Sequence, residues 1–256
     1  MEDKEKLQRA LTNMCEWAVK WGMEFNTAKC KVMHIGTNNA HYQYLMNDEQ
    51  LGTTDSERDL GVIEEKSLKP SAQCKKAATK AKMVLNQITK NFHYRDRRHF
   101  LNLYKQYVRP HLEFASPAWS PWANTDIQML EKVQEQALKR TTGLIGRTYQ
   151  ERCAEVGLET LEERRRNQDM MHTFKILKGH VKIDSDQLFK RITNSSGTRS
   201  SSDPWNLQRG RSRKDTRLHS FGLRTIQHWN SLPSKMKEHV NPESFKRDLK
   251  RVNRES

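Results

Sequence analysis

A chain of 256 residues with 34% hydrophobic and 30% charged content has room for one large domain or two small ones, but builds a thin core for its length. Its formal net charge of +15 draws phosphate backbones or anionic membranes. No apolar run approaches the ~20 residues that span a bilayer, so the expectation turns to nucleic acid.

The charge is uneven. Residues 1–66 hold 8 Lys/Arg against 12 Asp/Glu, residues 67–147 hold 15 against 5, and residues 148–256 hold 23 against 14. An acidic front precedes a basic middle and a basic end. The four cysteines, Cys15, Cys30, Cys74 and Cys153, are far apart, and none stands at zinc-ligand spacing from a histidine. That usage predicts reduced structural thiols in an intracellular protein, nuclear or cytoplasmic. The opening Met1-Glu2-Asp3-Lys4 is charged and offers no signal-peptide apolar stretch.

In chain order, Leu7, Leu11, Met14, Ala18 and Trp21 recur at helical spacing and predict an amphipathic helix over 3–22, stopped by Gly22. Residues 29–36 predict a short strand. Tyr42–Met46 and Gln50–Leu51 flank the turn-prone Asn47-Asp48 and predict a hairpin. Residues 58–63 predict another strand, with Gly61 as a bulge or a point of close backbone approach.

After Pro70 the pattern becomes helical. Ala77, Ala78, Ala81, Val84, Leu85, Ile88 and Phe92 make one face of a helix over 70–92. A helix over 96–108 follows, interrupted at Pro110, then a Pro- and Trp-rich elbow at 116–122. Thr125 is a candidate cap for a helix to Arg140. A short helix over 148–156 is closed by Gly157. Thr160-Leu161-Glu162-Glu163 has capping-box spacing and opens a helix to Lys178. Residues 193–217 are nearly devoid of apolar side chains, as a flexible basic linker is. Asn241-Pro242 predicts the start of a last helix.

The chain holds no phosphate-binding glycine loop, no His-Glu-x-x-His, no Gly-x-Ser-x-Gly and no adjacent aspartates. The acidic pairs Glu64-Glu65, Glu162-Glu163 and Asp184/Asp186 are read as solvated faces and helix caps. The positive signal is the basic middle, with lysines from 75 to 90, then Arg95, Arg97, Arg98, Lys105 and Arg109, interleaved with Tyr94, Tyr104 and Tyr107. Lys and Arg neutralise phosphates, and tyrosines stack on bases. A solvated helix face over core tyrosines is the competing reading. The segment Leu207–Arg217 adds Arg209, Arg211 and Arg213, as a nucleic-acid arm, a localisation signal or a plain linker.

Taken in order, these segments resemble the downstream part of the reverse transcriptase of non-LTR (LINE-type, jockey-like) retrotransposons. Trp17–Asn26 with Lys29-Cys30 resembles the palm helix and strand that follow the catalytic hairpin. Asp59-Leu60-Gly61-Val62 resembles the primer-grip strand, and Leu101–Trp122 the thumb. Leu130–Gln134, Leu158–Asp169 and Trp229–Pro233 are similar to the tail of the same family. The resemblance spans nearly the whole chain, through order and spacing more than through any one motif.

It implies a mainly α fold with a small antiparallel β element (α+β): a truncated right-hand polymerase palm, a helical thumb and a helical tail. The implied divisions are the end of the palm at 1–69, a thumb-like region at 70–146, a helical tail at 147–192, a flexible basic linker at 193–219 and a C-terminal helical segment at 220–256. It implies a primer-contacting role for Leu60 and Gly61, and a backbone-contacting role for Lys76, Lys80, Lys90, Arg95, Arg97, Arg98, Lys105 and Arg109. Lys29 would sit where related polymerases place a lysine that protonates leaving pyrophosphate; an ordinary surface lysine is the alternative. Expected partners are RNA, DNA or an RNA–DNA hybrid, not a membrane, with a fingers–palm segment supplied in trans.

The family's aromatic-x-Asp-Asp signature is expected upstream of the first helix and does not occur here. Two-metal nucleotidyl transfer needs carboxylates to hold both Mg2+ ions, so this chain alone is expected to hold no metal cofactor and to be inactive as a polymerase. Two other readings stand beside this one. One is a non-catalytic adaptor presenting an apolar patch around Trp119 and Trp122, or Phe221 and Trp229. The other is a transposon remnant with no cellular role.

Overall fold

The computed structural model describes residues 2–92, 96–192 and 203–255. The chain divides into two compact units, Met1–Gln73 and Cys74–Ser256. It is mainly helical, with small two-stranded sheets.

The first unit packs helix α1 (Glu2–Lys20) onto a set of short strands. Gly22, at φ 67, lets the chain leave the helix in a left-handed conformation. A 3-10 turn at Thr27–Lys29 is capped by Asn26, whose Oδ1 accepts from the Lys29 N–H at 3.3 Å. The predicted strand over 29–36 is confined to β1 (Lys31–Val32). Strands β2 (Leu45–Met46) and β3 (Glu49–Gln50) form the predicted hairpin about Asn47 and Asp48, both at positive φ. Two consecutive left-handed residues make the turn whose twist suits a tight hairpin, and Asn and Asp tolerate that conformation. Strand β4 (Gly52–Thr53) pairs with β1 in parallel, so the β content is not purely antiparallel.

The segment 58–63 is not one strand. It is a second hairpin, β5 (Ser56–Asp59) against β6 (Val62–Glu65), with Asp59 opposite Val62 and Leu60-Gly61 as the turn. Leu60 has φ 44 and Gly61 φ 95. Glycine adopts that geometry freely; leucine rarely does. The strain at Leu60 hid the turn from sequence pattern.

The buried α1 face is narrower than expected. Leu11 and Cys15 meet the small core of Tyr44, Met46 and Leu51, and Ala18 is buried. Leu7, Met14 and Trp21, expected inward, are exposed together with Trp17.

The second unit opens within α2 (Ser71–Asn91), at Cys74, and turns Cys74, Ala77, Ala78, Ala81, Leu85 and Ile88 inward. Next comes α3 (Arg97–Leu103), capped by Asp96, then a wider π-helical turn at Tyr104–Val108 and α4 (Arg109–Glu113). Pro110 does not end this run. The Arg109 N–H bonds the Tyr104 carbonyl across the widened turn, and the proline sits at the start of the next segment, where an N–H is not needed. The elbow contains α5 (Ser116–Trp119), entered through Ala115 at φ 52. Helix α6 (Asn124–Lys139) starts one residue before Thr125, so Thr125 is not its cap; the N-cap position is Ala123, without a side-chain bond.

Helices α7 (Tyr149–Glu155) and α8 (Leu161–Leu177) both begin with complete capping boxes, Thr148 with Glu151 and Thr160 with Glu163. The second matches expectation; the first adds to it. Helix α8 is the hub, touching α4, α5 and α6. It also meets α11 (Phe221–Ser231) and α13 (Pro242–Glu255), which follow α9 (Ser185–Leu188) and α10 (Asp215–Leu218) and, with α12 (Ser234–Lys237), complete the chain. Phe174, Trp229, Phe245 and Leu249 form the core between them.

Residues 193–202 of the expected linker lie outside the described residues. Within the rest of that span, Asp203, Asn206 and Leu207 are anchored. Leu207 is buried, and its N–H and carbonyl both bond the Asn230 side chain at 2.9 Å. Lys237, 1% exposed, donates to Asp203 Oδ2 at 2.9 Å, Asn206 Oδ1 at 2.8 Å and the Asn230 carbonyl at 3.2 Å. A buried ammonium satisfied three times can hold a polar segment that has few apolar side chains.

One side chain joins the front half of this unit. Gln134 of α6 is fully buried. Its Oε1 accepts from Tyr104 Oη at 2.7 Å; its Nε2 donates to Tyr149 Oη at 2.9 Å and to the Glu159 carbonyl at 3.0 Å. Gln134→Leu keeps the approximate volume but orphans the Tyr104 hydroxyl and the Glu159 carbonyl. Each orphan costs about 1–3 kcal/mol. Urea unfolding of the whole chain is expected to show a loss of at least about 2 kcal/mol with an unchanged m-value.

Candidate nucleic-acid interface

Helix α2 is 21 residues long, carries five lysines and contains no carboxylate. At a rise of about 1.5 Å per residue it offers an edge of about 32 Å. Its alanine-rich face is buried, so the lysines are placed by helical geometry. Lys75, Lys80 and Lys90 are exposed, while Lys76 and Lys82 are half-buried at the margin. Among the described residues, Lys75, Lys80 and Lys90 form no ion pair. Arg98, exposed near the start of α3, follows in sequence. Asp96 is occupied there by capping, accepting from the His99 N–H at 3.2 Å and lying 2.8 Å from its ring.

The other expected cations divide differently. Arg97 donates to Glu155 at 2.9 Å, and Arg147 reaches the other oxygen of the same carboxylate at 2.7 Å. These hydrogen bonds hold the Glu155 carboxyl below its ordinary range. Arg109 is half-buried, with Nε 3.7 Å from Glu113, which also takes a two-pronged contact from Arg164. Burial, and then the neighbouring Arg164, lower the Arg109 pKa. Lys105 is half-buried on the π-helical turn. Arg95 lies outside the described residues. Arg209, Arg211 and Arg213 are exposed, on the stretch that leaves the anchored Leu207.

Lys29 ends the 3-10 turn and is exposed, rather than lying on a strand. Leu60, 89% exposed, and Gly61 form a hairpin tip. A projecting tip can approach a ligand backbone, but Lys29, Leu60 and Gly61 belong to the first unit and the lysines of α2 from 75 onward to the second.

The rings expected to offer an adaptor patch are largely occupied. Trp119 is buried and donates from Nε1 to the Phe114 carbonyl at 2.8 Å. Trp122 stacks on His219 with centroids 5.2 Å apart. Trp229 is fully buried, and Phe221 is half-buried against the same core. Among the described residues no three His, Cys, Asp or Glu side chains converge as a metal-holding group, and no helix is long and apolar enough to cross a membrane.

Comparison with models of known protein families, with curated proteins and with solved structures returns no match.

Sequence reasoning passed over the polar interior. Glu131 of α6 accepts from the Leu161 and Glu162 N–H groups at 3.2 and 2.7 Å, capping α8 from a distant helix, and also accepts from the Tyr149 hydroxyl. Burial, and then the Glu131 charge, push the Tyr149 pKa upward. Glu131 and Gln134 stand three apart on one helix, a spacing that serves a buried face as well as a solvated one. Nothing local marks which it is.

Cys74 and Cys153 are not nucleophiles in waiting. Burial and then the nearby Asp126 carboxylate push Cys74 up to about 12, and burial raises Cys153. Iodoacetamide at pH 8 is expected to label the partly exposed Cys15 and Cys30 in the folded chain, and Cys74 and Cys153 only after denaturation; peptide mass mapping reads the difference.

Proposed function

We propose that this chain binds nucleic acid through the phosphate backbone, as a non-catalytic palm-end, thumb and tail segment of an RNA-directed DNA polymerase of the non-LTR retrotransposon kind. The observation that carries the reading is the acid-free lysine face of α2. Lysines on one face of a straight helix neutralise a line of phosphates without reading bases, which suits an RNA–DNA hybrid held by shape and charge. The net charge of +15 adds long-range attraction. The exposed Arg98, Arg209, Arg211 and Arg213 supply further phosphate contacts.

The role is to hold a duplex, not to extend it. The chain has no adjacent aspartates, and phosphoryl transfer through two metal ions requires carboxylates to position them. Resemblance supports the retroelement assignment, and the charge and exposure of α2 support the binding.

Fluorescence anisotropy with a labelled RNA–DNA hybrid, across a salt series, tests this. Affinity is expected to fall steeply with salt. Replacing Lys75, Lys80 and Lys90 together with Gln is expected to reduce the log–log slope by up to about 2.7, at about 0.9 for each phosphate no longer neutralised. Binding that ignores salt, or a triple variant with an unchanged slope, refutes the assignment of α2.

A substitution of opposite sign sharpens the test. Glu155→Gln removes the carboxylate that engages both Arg97 and Arg147. With two guanidiniums released, the same assay is expected to show tighter binding and a steeper salt slope. The stability that Glu155 contributes is present above its unfolded-state pKa and is lost as pH falls through its depressed folded value. Unfolding midpoints of the wild type and the variant are therefore expected to converge in acid.

A further inference from the structure

The stretch that follows the anchored Leu207 carries a hydroxyl among its arginines. Residues 204–214 contain Arg209, Arg211, Arg213 and Lys214 and no carboxylate side chain. All four cations are exposed. Ser212, half-buried, stands between Arg211 and Arg213, three positions after Arg209. Among the described residues its hydroxyl is engaged only with its own turn. It donates to the Lys214 carbonyl at 3.0 Å and accepts from the Lys214 N–H at 3.3 Å. Freeing it breaks two local bonds that water replaces.

An arginine three positions ahead of a hydroxyl is a charge pattern that arginine-directed protein kinases read. Reading it requires the two side chains to reach separate subsites. Extended chain sets them about 10 Å apart, whereas a helix stacks them at about 4.5 Å on one face. Thr12, Thr216 and Ser220 share the spacing in sequence. Thr12 lies inside α1 and Thr216 inside α10, and Ser220 is the N-cap of α11, preceded by Arg217 within α10. Ser212 lies in neither helix nor strand, so its local backbone suits such a groove.

We propose that Ser212 is a phosphorylation site for an arginine-directed protein kinase, and that its phosphate weakens the hold of this stretch on nucleic acid. In the transfer, Ser212 Oγ bonds to the γ-phosphorus of ATP and the bond to the bridging oxygen breaks. ADP leaves, and the hydroxyl proton passes to a carboxylate of the kinase. The added charge of about −1.5 to −2 sits between Arg211 and Arg213. It takes hydrogen bonds from guanidiniums that otherwise meet the polyanion. The effect on binding rests on the proposed function; the acceptor assignment does not. Leu207 stays held by Asn230, and His219 stays stacked on Trp122, so the change is one of charge with the surrounding fold retained.

The test incubates the full chain with Mg2+-ATP and a purified arginine-directed kinase and maps the product by peptide mass spectrometry. Phosphate is expected at Ser212, with none on that peptide in Ser212→Ala. The initial rate is expected to fall about tenfold or more in Arg209→Ala. Fluorescence anisotropy with the RNA–DNA hybrid then compares the two forms across a salt series. Phosphorylation is expected to raise the apparent Kd about tenfold. It is also expected to lower the log–log slope by about 1.8, at about 0.9 for each of two arginines withdrawn. Kinase treatment of Ser212→Ala is expected to change neither value. Absence of phosphate at Ser212 overturns the acceptor assignment. Phosphate there with an unchanged Kd and slope overturns the effect on binding. The unmodified chain is measured first, so salt-independent binding, which refutes the proposed function, is told apart from both.

Discussion

The second unit depends on one buried amide. Gln134 meets the widened turn that carries Tyr104, the helix that carries Tyr149, and the Glu159 carbonyl just before α8. A buried amide has two donor hydrogens and one acceptor oxygen to satisfy, and each satisfied bond fixes a direction as well as a distance. Apolar packing would tolerate a sliding of these helices; the amide does not. Glu131, three residues earlier on the same helix, adds a cap to α8 from outside that helix. The orientation of α8 is therefore set from α6, and α8 in turn contacts α11 and α13. A chain with only 34% hydrophobic residues gains through directional polar contacts the uniqueness that a thicker core supplies elsewhere.

The cations separate by chemistry. Many of the arginines are turned inward or sideways onto protein acceptors. Arg164 takes Glu113, Arg224 takes Asp169 and the Pro117 carbonyl, Arg152 takes the Leu144 carbonyl, and Arg140 takes Asn86 and Thr89. A rigid planar fork suits fixed geometry. The exposed face of α2 carries lysines instead. An ammonium on a flexible stem is well matched to a partner whose phosphates lie at variable positions. The net charge thus overstates the surface available to a polyanion, because part of it holds the fold together.

Much of the local structure was legible in the residues. The α2 face could be read because small apolar side chains recur at helical spacing on one side and lysines on the other. The Thr160–Glu163 cap and the Asn47-Asp48 turn were legible because each needs only neighbours in sequence. What failed depended on strain or on distance. Leu60 at φ 44 is a poor turn former, so the second hairpin looked like one bulged strand. Leu7, Leu11, Met14 and Trp21 look like a core face by period, but the small core beneath α1 meets only Leu11, with Cys15 beside it. Asp203, Asn206 and Leu207 look like linker by composition, and are held by Asn230 and Lys237 from farther along the chain.

The candidate interface shows the same division. Which side chains are basic is plain in the sequence; which of them are unengaged is a property of the fold. Arg97 and Arg109 look equivalent to Lys80 and Lys90 in the sequence, yet Glu155 and Glu113 engage the first two, and no carboxylate pairs with the second two among the described residues. A distant element decides the first case, since Glu155 comes from α7, 58 residues beyond Arg97; Arg109 meets Glu113 four residues along its own helix, a carboxylate also gripped by Arg164 of α8. A helix that is basic by composition becomes a phosphate-binding face only if the tertiary structure brings no acid to it. Helix α2 meets that condition twice, by holding no carboxylate itself and by exposing Lys75, Lys80 and Lys90 where no described neighbour supplies one.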